Sequence, residues 1–492
     1  MEDAVKMLAF DFGASSGRAM LGTLQEGHLE LKEIHRFSND PVNVTGGLHW
    51  DTLRLLHEIK QGILKCVNGG DRDIASMAID TWGVDFGLLD ERGELIGNPY
   101  HYRDKRTRGM MEKVFEIMPQ KQLYMKTGIQ LMELNTVFQL FSMIYSGSSQ
   151  MSQAKTLLLT PDLFNYFLTG VKATEYSIAS TTQLLDPVKK QWSEEIIEKL
   201  GIPRGIFTDI VMTGTVIGNL SAEICDELGV KPISVIAAAG HDTQAAVASV
   251  PACRDDFVYI SCGTWSLMGV ETDSPILNDK SFCMSFTNEG GINNKITFLK
   301  NIMGLWLIQE CKRQWDREGK KLSFAAMESM AREAGSVKCF IDPDDQLFVL
   351  PGNMPERIER YCRNTGQYVP QSAGEVVMCI CQSLALKYRM TVESLEQVLG
   401  RKLPVIHMVG GGIKDKLLCS LTADVTGREV IAGPVEATSV GNLVIQSMAL
   451  GKVKNIREAR GIVRDSFPTE IFKPRDSQRW DQPYETFKNI IK

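Results

Sequence analysis

Three things are missing from this 492-residue chain, and each removes a class of function. Lys and Arg never gather into a basic tract; they number 54 against 60 Asp and Glu, for a formal net charge of −6. A nucleic-acid partner needs enough positive side chains to neutralise a run of phosphates, so such a partner is disfavoured. Long apolar runs are missing as well. The most apolar stretch, Ile233 to Ala252, is broken by Gly240-His241-Asp242-Thr243-Gln244, a polar block too costly to carry through a bilayer. The opening Met1-Glu-Asp-Ala-Val-Lys6 has neither the basic nor the apolar region of a secretory leader, so a cytoplasmic location and no membrane partner are expected. The third absence is a paired cysteine motif. Eleven cysteines are scattered from Cys66 to Cys419 with no Cys-x-x-Cys, which reads as buried or idle thiols of a reducing cytosol.

What is present is ordinary globular material, 43% hydrophobic and 23% charged, in a chain longer than the ~250–300 residues at which one core stops growing. Two domains are therefore expected. Apolar runs alternate with amphipathic stretches, which argues an α/β chain. The runs Leu8–Phe10, Ser76–Ile79, Phe86–Leu89, Ile233–Ile236, Phe257–Ile260 and Val405–Val409 read as strands. Helical spacing is clearest in Leu53–Cys66, Leu305–Trp315, Ala373–Leu399 and Leu417–Val425. One pattern occurs twice. Leu8 to Leu21 reads as strand, polar Gly-rich turn, strand, and Phe257 to Val270 reads the same way. Two related lobes facing a shared cleft are the natural reading, divided near Pro251–Asp255. The expected domains are 1–250 and 255–455, with a tail over 456–492.

The first turn, Asp11-Phe-Gly-Ala-Ser-Ser-Gly-Arg18, is not a Walker A loop, because no Gly-Lys-Ser/Thr follows. It still suits a phosphate: Gly13 and Gly17 permit tight turns, Ser15 and Ser16 add donors, and Arg18 supplies a positive fork. Asp11 is placed to hold a magnesium ion through water. The second turn, Ser261-Cys-Gly-Thr-Trp-Ser266, repeats the logic with Thr264 as donor. A polar hairpin without ligand is the alternative for each. In Gly240-His241-Asp242-Thr243, Asp242 follows an apolar strand and opens a helix, so it is either a helix cap or a carboxylate that takes a proton from an attacking hydroxyl. Trp82 and Gly83 sit in a turn between two apolar runs, where Trp82 faces a sugar or is simply core. Tyr102–Thr107 is a sugar-facing loop or, by default, a solvated charged surface. Lys300–Gln309 reads as the start of an amphipathic helix, with Asn301 and Gln309 its polar candidates. Val409-Gly-Gly-Gly-Ile413 is a strand followed by three glycines, where a flat purine can lie on the backbone at Gly411. Gly433–Gly441 opens a helix whose small residues allow close packing.

The set and order of these motifs resembles the FGGY carbohydrate kinases, from about residue 7 to 450. Thr181-Thr-Gln-Leu184, Thr287-Asn-Glu-Gly-Gly291 and Gly433-Pro-Val-Glu-Ala437 belong to the same likeness. Phe12 and Ser261-Cys262 are minor departures, and the tail after about Ile456 matches least. The resemblance implies two ribonuclease H-like (actin-like ATPase) domains facing a central cleft. It also implies ATP-dependent, magnesium-assisted phosphorylation of a ketose, with L-rhamnulose as the expected acceptor and L-fuculose or L-xylulose as rivals. ATP contacts are implied at Ala14, Ser15, Ser16, Gly17, Arg18, Thr264, Gln309 and Gly411. Sugar contacts are implied at Gly83, His241, Asp242, Thr243 and Asn301, with Asp242 as general base. A non-catalytic sugar- and ATP-binding protein of the same fold is the rival from another class, although it would have no use for a base.

Overall fold

The computed structural model describes residues 4–491; Met1-Glu2-Asp3, part of the segment read for a leader, and Lys492 of the tail lie outside the described residues. The chain forms two compact units. The first holds the chain up to Ser249 together with Glu271–Phe298 and Thr438–Ser466. The second holds Val250–Val270, Leu299–Ala437 and the chain from Phe467 onward.

In the first unit, β1 (Val5–Phe12) and β2 (Ser16–Gln25) form the N-terminal hairpin, with Asp11 opposite Arg18. β3 (His28–Ser38) continues the meander, and β4 (Ile74–Thr81) lies parallel to β1 on its other side. β5 (Thr215–Asn219) and β6 (Ser234–Ala237) complete the order β5-β6-β4-β1-β2-β3. Leu8, Ala9 and Phe10 are wholly buried, as a central strand covered on both faces requires. Helix Thr52–Asn68 begins where Asp51 accepts the Arg54 N–H, and its Leu55, Ile59, Ile63 and Cys66 join Phe10 and Leu21 in one core.

In the second unit, β7 (Phe257–Cys262) and β8 (Trp265–Thr272) form the second hairpin. With β9 (Ile296–Met303), β10 (Val405–Val409), β11 (Glu429–Ala432) and β12 (Glu470–Phe472) the order is β9-β8-β7-β10-β11-β12, and a seventh strand, Thr287–Gly290, lies outside β9 at the edge. Apart from that extra edge strand, the two orders are the same. In each, a buried first strand has its hairpin partner and a third strand on one side, and two parallel strands with an antiparallel edge on the other. The chain is thus α/β with two sheets of one topology, as its repeated hairpin suggested. Helix Ala373–Leu399 in the second unit starts at Ser372, which accepts the Glu375 N–H, and stops at left-handed Gly400.

Helix Ala437–Ala449 brings Thr438 to Gly441, the end of the Gly433–Gly441 segment, into the first unit. A Cβ on Gly441 would land on the Ala245 carbonyl of helix Asp242–Ala248, so the two helices pack backbone to backbone. The polar side of this helix is buried but satisfied: Gln446 Nε2 donates to the Leu8 carbonyl at 3.0 Å, and Ser76 Oγ donates to Gln446 at 2.6 Å. Among the described residues, no helix is long and apolar enough to cross a membrane.

One expected element is different. Lys300 and Asn301 do not begin a helix; they end β9, and the helix starts at Trp306. Gly304 makes the break, because it lies against the Trp265–Ser266 backbone where no side chain fits.

Candidate active site

The β1–β2 turn is held from within and from outside. The Gly13 N–H donates to the Ser16 carbonyl at 2.9 Å, while Asn39 donates its side-chain amide to the Gly13 carbonyl at 2.9 Å and its N–H to the Ser15 carbonyl at 3.1 Å. Ala14, Ser15 and Ser16 keep solvent access, Gly17 is buried, and the Arg18 guanidinium stands 3.4 Å from Asp11. Asn39 carried no sequence signal, because its role exists only once β3 lies beside the turn.

Three carboxylates gather at the C-terminal ends of the central strands, the usual crevice of an open α/β sheet. Asp11 on β1 is in register with Asp80 on β4. Asp80 is fully buried; its Oδ2 accepts from Asn442 Nδ2 at 2.6 Å, and its Oδ1 has no partner. Burial, and then the charge of Asp11, push Asp80 well above the ordinary carboxylate range. Asp242 is likewise raised, to about 6, first by burial and also by Asp11, against the opposing pull of His241. Carboxylates that raise one another, with one buried oxygen unpartnered, are the surroundings a divalent cation relieves.

The turn that carries Asp242 is clamped through its backbone. Glu175, itself buried, accepts the Gly240 N–H at 3.0 Å and the N–H groups of Ser177 and Ile178 at 2.9 and 3.1 Å. The His241 N–H donates to Ser177 Oγ at 3.3 Å. The Thr81 N–H donates to the Gly240 carbonyl at 2.8 Å, which joins the end of β4 to this turn, two residues before Gly83. His241, not Asp242, occupies the helix N-cap, so capping does not explain the carboxylate. Asp242 keeps 32% of its side-chain surface, with His241 Nε2 3.5 Å away. His241 Nδ1 lies 3.1 Å from Glu289, which also accepts from Gln244 at 3.0 Å. Burial lowers the His241 pKa, but Glu289 and Asp242 outweigh it and leave it raised.

Trp82 is core. It is 6% exposed, its ring lies 4.0 Å from Trp50, and both indole N–H groups donate to Asp85, at 2.9 and 2.7 Å. Gly83 next to it keeps solvent access, and Val84 beyond has φ 69°, a strained value for a β-branched residue. Thr181 accepts the Val84 N–H at 3.1 Å and Thr136 donates to its carbonyl at 2.6 Å, so the strained turn is fixed from both sides. Nor is Tyr102–Thr107 a solvated surface. Tyr102, Asp104 and Thr107 are buried, and Arg106 lies 3.9 Å over the Tyr100 ring and donates to Gln139 at 2.6 Å. Hydrogen-bonding partners inside the fold drew these charges in.

In the second unit the β7–β8 turn repeats the arrangement. The Gly263 N–H donates to the Trp265 carbonyl at 2.8 Å, and Thr264 Oγ1 donates to Gln309 at 3.3 Å, so two of the expected nucleotide residues meet. After β10, Gly412 has no room for a Cβ against Cys262, whereas Gly411 has open space where a Cβ would stand. A planar ring can lie there. Asn301 sits on β9, off the helix that carries Gln309. Glu175, Ser177, Glu289 and Asn442 were not singled out; only Glu289 lay in a quoted motif, Thr287-Asn-Glu-Gly-Gly291.

Known proteins resemble this chain along nearly its whole length. The family description "FGGY family of carbohydrate kinases, N-terminal domain" fits residues 6–249, and the matching C-terminal domain fits 258–450. A rhamnulokinase of Bacteroides thetaiotaomicron is 42% identical over 484 residues, covering 98% of this chain and 99% of its own. A rhamnulokinase of Oceanobacillus iheyensis is 44% identical over 460 residues, covering 94% and 96%. Among solved structures, a ligand-bound xylulose kinase from Lactobacillus acidophilus superposes with a TM-score of 0.80 at 15% identity, covering 99% of this chain and 96% of its own. That last likeness concerns the fold alone.

Proposed function

This chain belongs to the FGGY family of carbohydrate kinases, and we propose that the sugar it phosphorylates is L-rhamnulose, at O1, with ATP as donor. The observation that carries the reading is Asp242: a partly exposed carboxylate on a clamped turn, at the mouth of the strand ends. Asp242 takes the O1 proton as O1 bonds the γ-phosphorus and the bridging oxygen leaves on ADP. Because the phosphoryl transition state is loose, positioning and charge supply most of the catalysis. In the first unit, Gly83, His241, Asp242 and Thr243 hold the sugar and Ala14–Arg18 receive phosphate. In the second, Asn301 contacts sugar, Thr264 and Gln309 take phosphate, and Gly411 seats adenine. Magnesium, when bound, would neutralise phosphate charge; Asp11 would hold it, and the crowded acids of β1 and β4 suit it.

Two measurements test this. In a coupled ADP-release assay over a panel of ketoses, L-rhamnulose should give the highest kcat/KM. A tenfold preference for L-fuculose or L-xylulose would overturn the sugar assignment and leave the kinase intact, whereas no turnover with any ketose would favour a binding protein. The pH dependence tests the base. Asp242 must be ionised to accept a proton, so kcat/KM should be flat above its raised value of about 6 and fall about tenfold per pH unit below it. A rate that stays level well below that value would remove Asp242 from the proton transfer.

A further inference from the structure

The core of the second unit holds a cation that the phosphoryl transfer does not use. Lys387, on helix Ala373–Leu399, is only 4% exposed, a depth at which a lysine needs partners. Its Nζ lies 2.8 Å from Asp342 Oδ1 and 2.9 Å from Asp344 Oδ2. We propose that Lys387 and Asp344 are positioning residues for the nucleotide, because together they fix the end of β9 and, through it, the Gly263–Thr264 turn. The inference rests on the reading that this turn receives phosphate.

Asp344 has two oxygens and a task for each. Oδ2 faces Lys387, while Oδ1 accepts the Met303 N–H at 2.8 Å. Met303 is the last residue of β9, and the three N–H groups after it all bind the turn. Gly304 and Trp306 donate to the Thr264 carbonyl at 3.1 Å each, and Leu305 donates to the Gly263 carbonyl at 3.0 Å. Gly304 lies so close to the Trp265–Ser266 backbone that this junction cannot shift without moving the turn. The same helix reaches the other arm of the turn as well. Tyr388, next to Lys387, places its hydroxyl 2.6 Å from Ser266 Oγ, and Ser383, one turn earlier, accepts the Ile341 N–H at 2.9 Å. One rigid helix thus holds the strand end, the turn and the segment that carries both aspartates.

Energetics separates positioning from mere stability. A buried ion pair adds little net stability, since desolvation offsets the attraction; what it fixes is geometry. Asp344 keeps 28% of its side-chain surface, so without Lys387 its carboxylate is free to turn toward water and release Met303. Asp342 makes the contrast. A single oxygen of Asp342, Oδ1, serves both Lys387 and the Asp344 N–H, at 2.8 and 3.1 Å. An amide has one acceptor oxygen, so asparagine can replace Asp342 with both contacts kept, whereas at 344 it must give up either Lys387 or Met303.

The test is a calorimetric titration of the full-length protein with ADP and magnesium, beside the KM for ATP. D344N and K387M should bind ADP about tenfold more weakly, with a matching rise in KM. D342N removes the same charge from the same cluster and should stay within about twofold of the parent in both. Amide hydrogen exchange should be faster at Met303–Trp306 in D344N than in D342N. Parental affinity in D344N and K387M, or equal losses in D342N and D344N, would overturn the proposal while leaving the nucleotide reading intact. A parent protein that binds no ADP would overturn that reading, and the proposal with it. If D344N does not fold, K387M decides.

Discussion

Asp242→Asn is expected to lower kcat by roughly 10²–10⁴-fold, the usual worth of a positioned general base. The amide keeps the shape of the carboxylate, and the clamp on its turn acts through the backbone of Gly240 and His241, so the replacement leaves that clamp intact. Sugar and ATP affinities, read by calorimetry, should therefore stay within a few-fold of the parent. The loss should fall on kcat, because proton acceptance matters only as the hydroxyl attacks. The acid limb of the pH profile should disappear with it. A variant that keeps more than about a third of parental turnover would place the base elsewhere.

The second large effect is on stability. Gly441→Ala puts a methyl group onto the Ala245 carbonyl, a backbone atom of the helix that begins with Asp242. No rotamer relieves a clash with backbone, so helices Ala437–Ala449 and Asp242–Ala248 must part. Overpacking a close contact costs about 1–3 kcal/mol where side chains can adjust, and this site belongs at the upper end or beyond. Gly205→Ala is the control, since its added Cβ meets nothing within 4 Å. Thermal and denaturant melts should show a clear loss for the first and almost none for the second. Folded G441A should also lose kcat, because a displaced helix misplaces its first residue. Equal melts for the two variants would mean that the helices have slack.

The regular elements were legible where burial writes a periodic signal. Val405–Val409 and Ala373–Leu399 have the bounds that their apolar pattern predicts, the helix with a serine cap and a closing glycine as well. β3 was not legible, because most of its residues are exposed or half-buried and its charged sequence carries no alternation to read. Over Lys300–Gln309 the sequence predicts a helix where the first four residues are strand, since their apolar residues run straight into those of the helix that follows. In the site, the residues proposed to meet ligand stood out by chemistry: Asp242, Arg18 and Thr264 lie in short motifs of small and polar residues. Their supports did not. Asn442 reaches Asp80 across 362 residues of sequence, and Glu175 reaches Gly240 across 65, distances over which no local pattern extends.

That long reach bears on how the molecule is made. The first unit includes Thr438–Ser466, and Asn442 and Gln446 fill polar positions against its central strands. When Ser249 leaves the ribosome, the strands of the sheet, the Gly240–Asp242 turn and the strained Val84 are all synthesised, but the partners of Asp80 and the Leu8 carbonyl are still unmade. At the usual pace of translation, roughly ten to forty seconds pass before that helix is synthesised. Throughout that interval Asp80 is without Asn442 and the Leu8 carbonyl is without Gln446. The final step in building the first unit is therefore the capture of a late segment, and a nascent chain interrupted before it lacks the groups that complete the hydrogen bonds of its central strands.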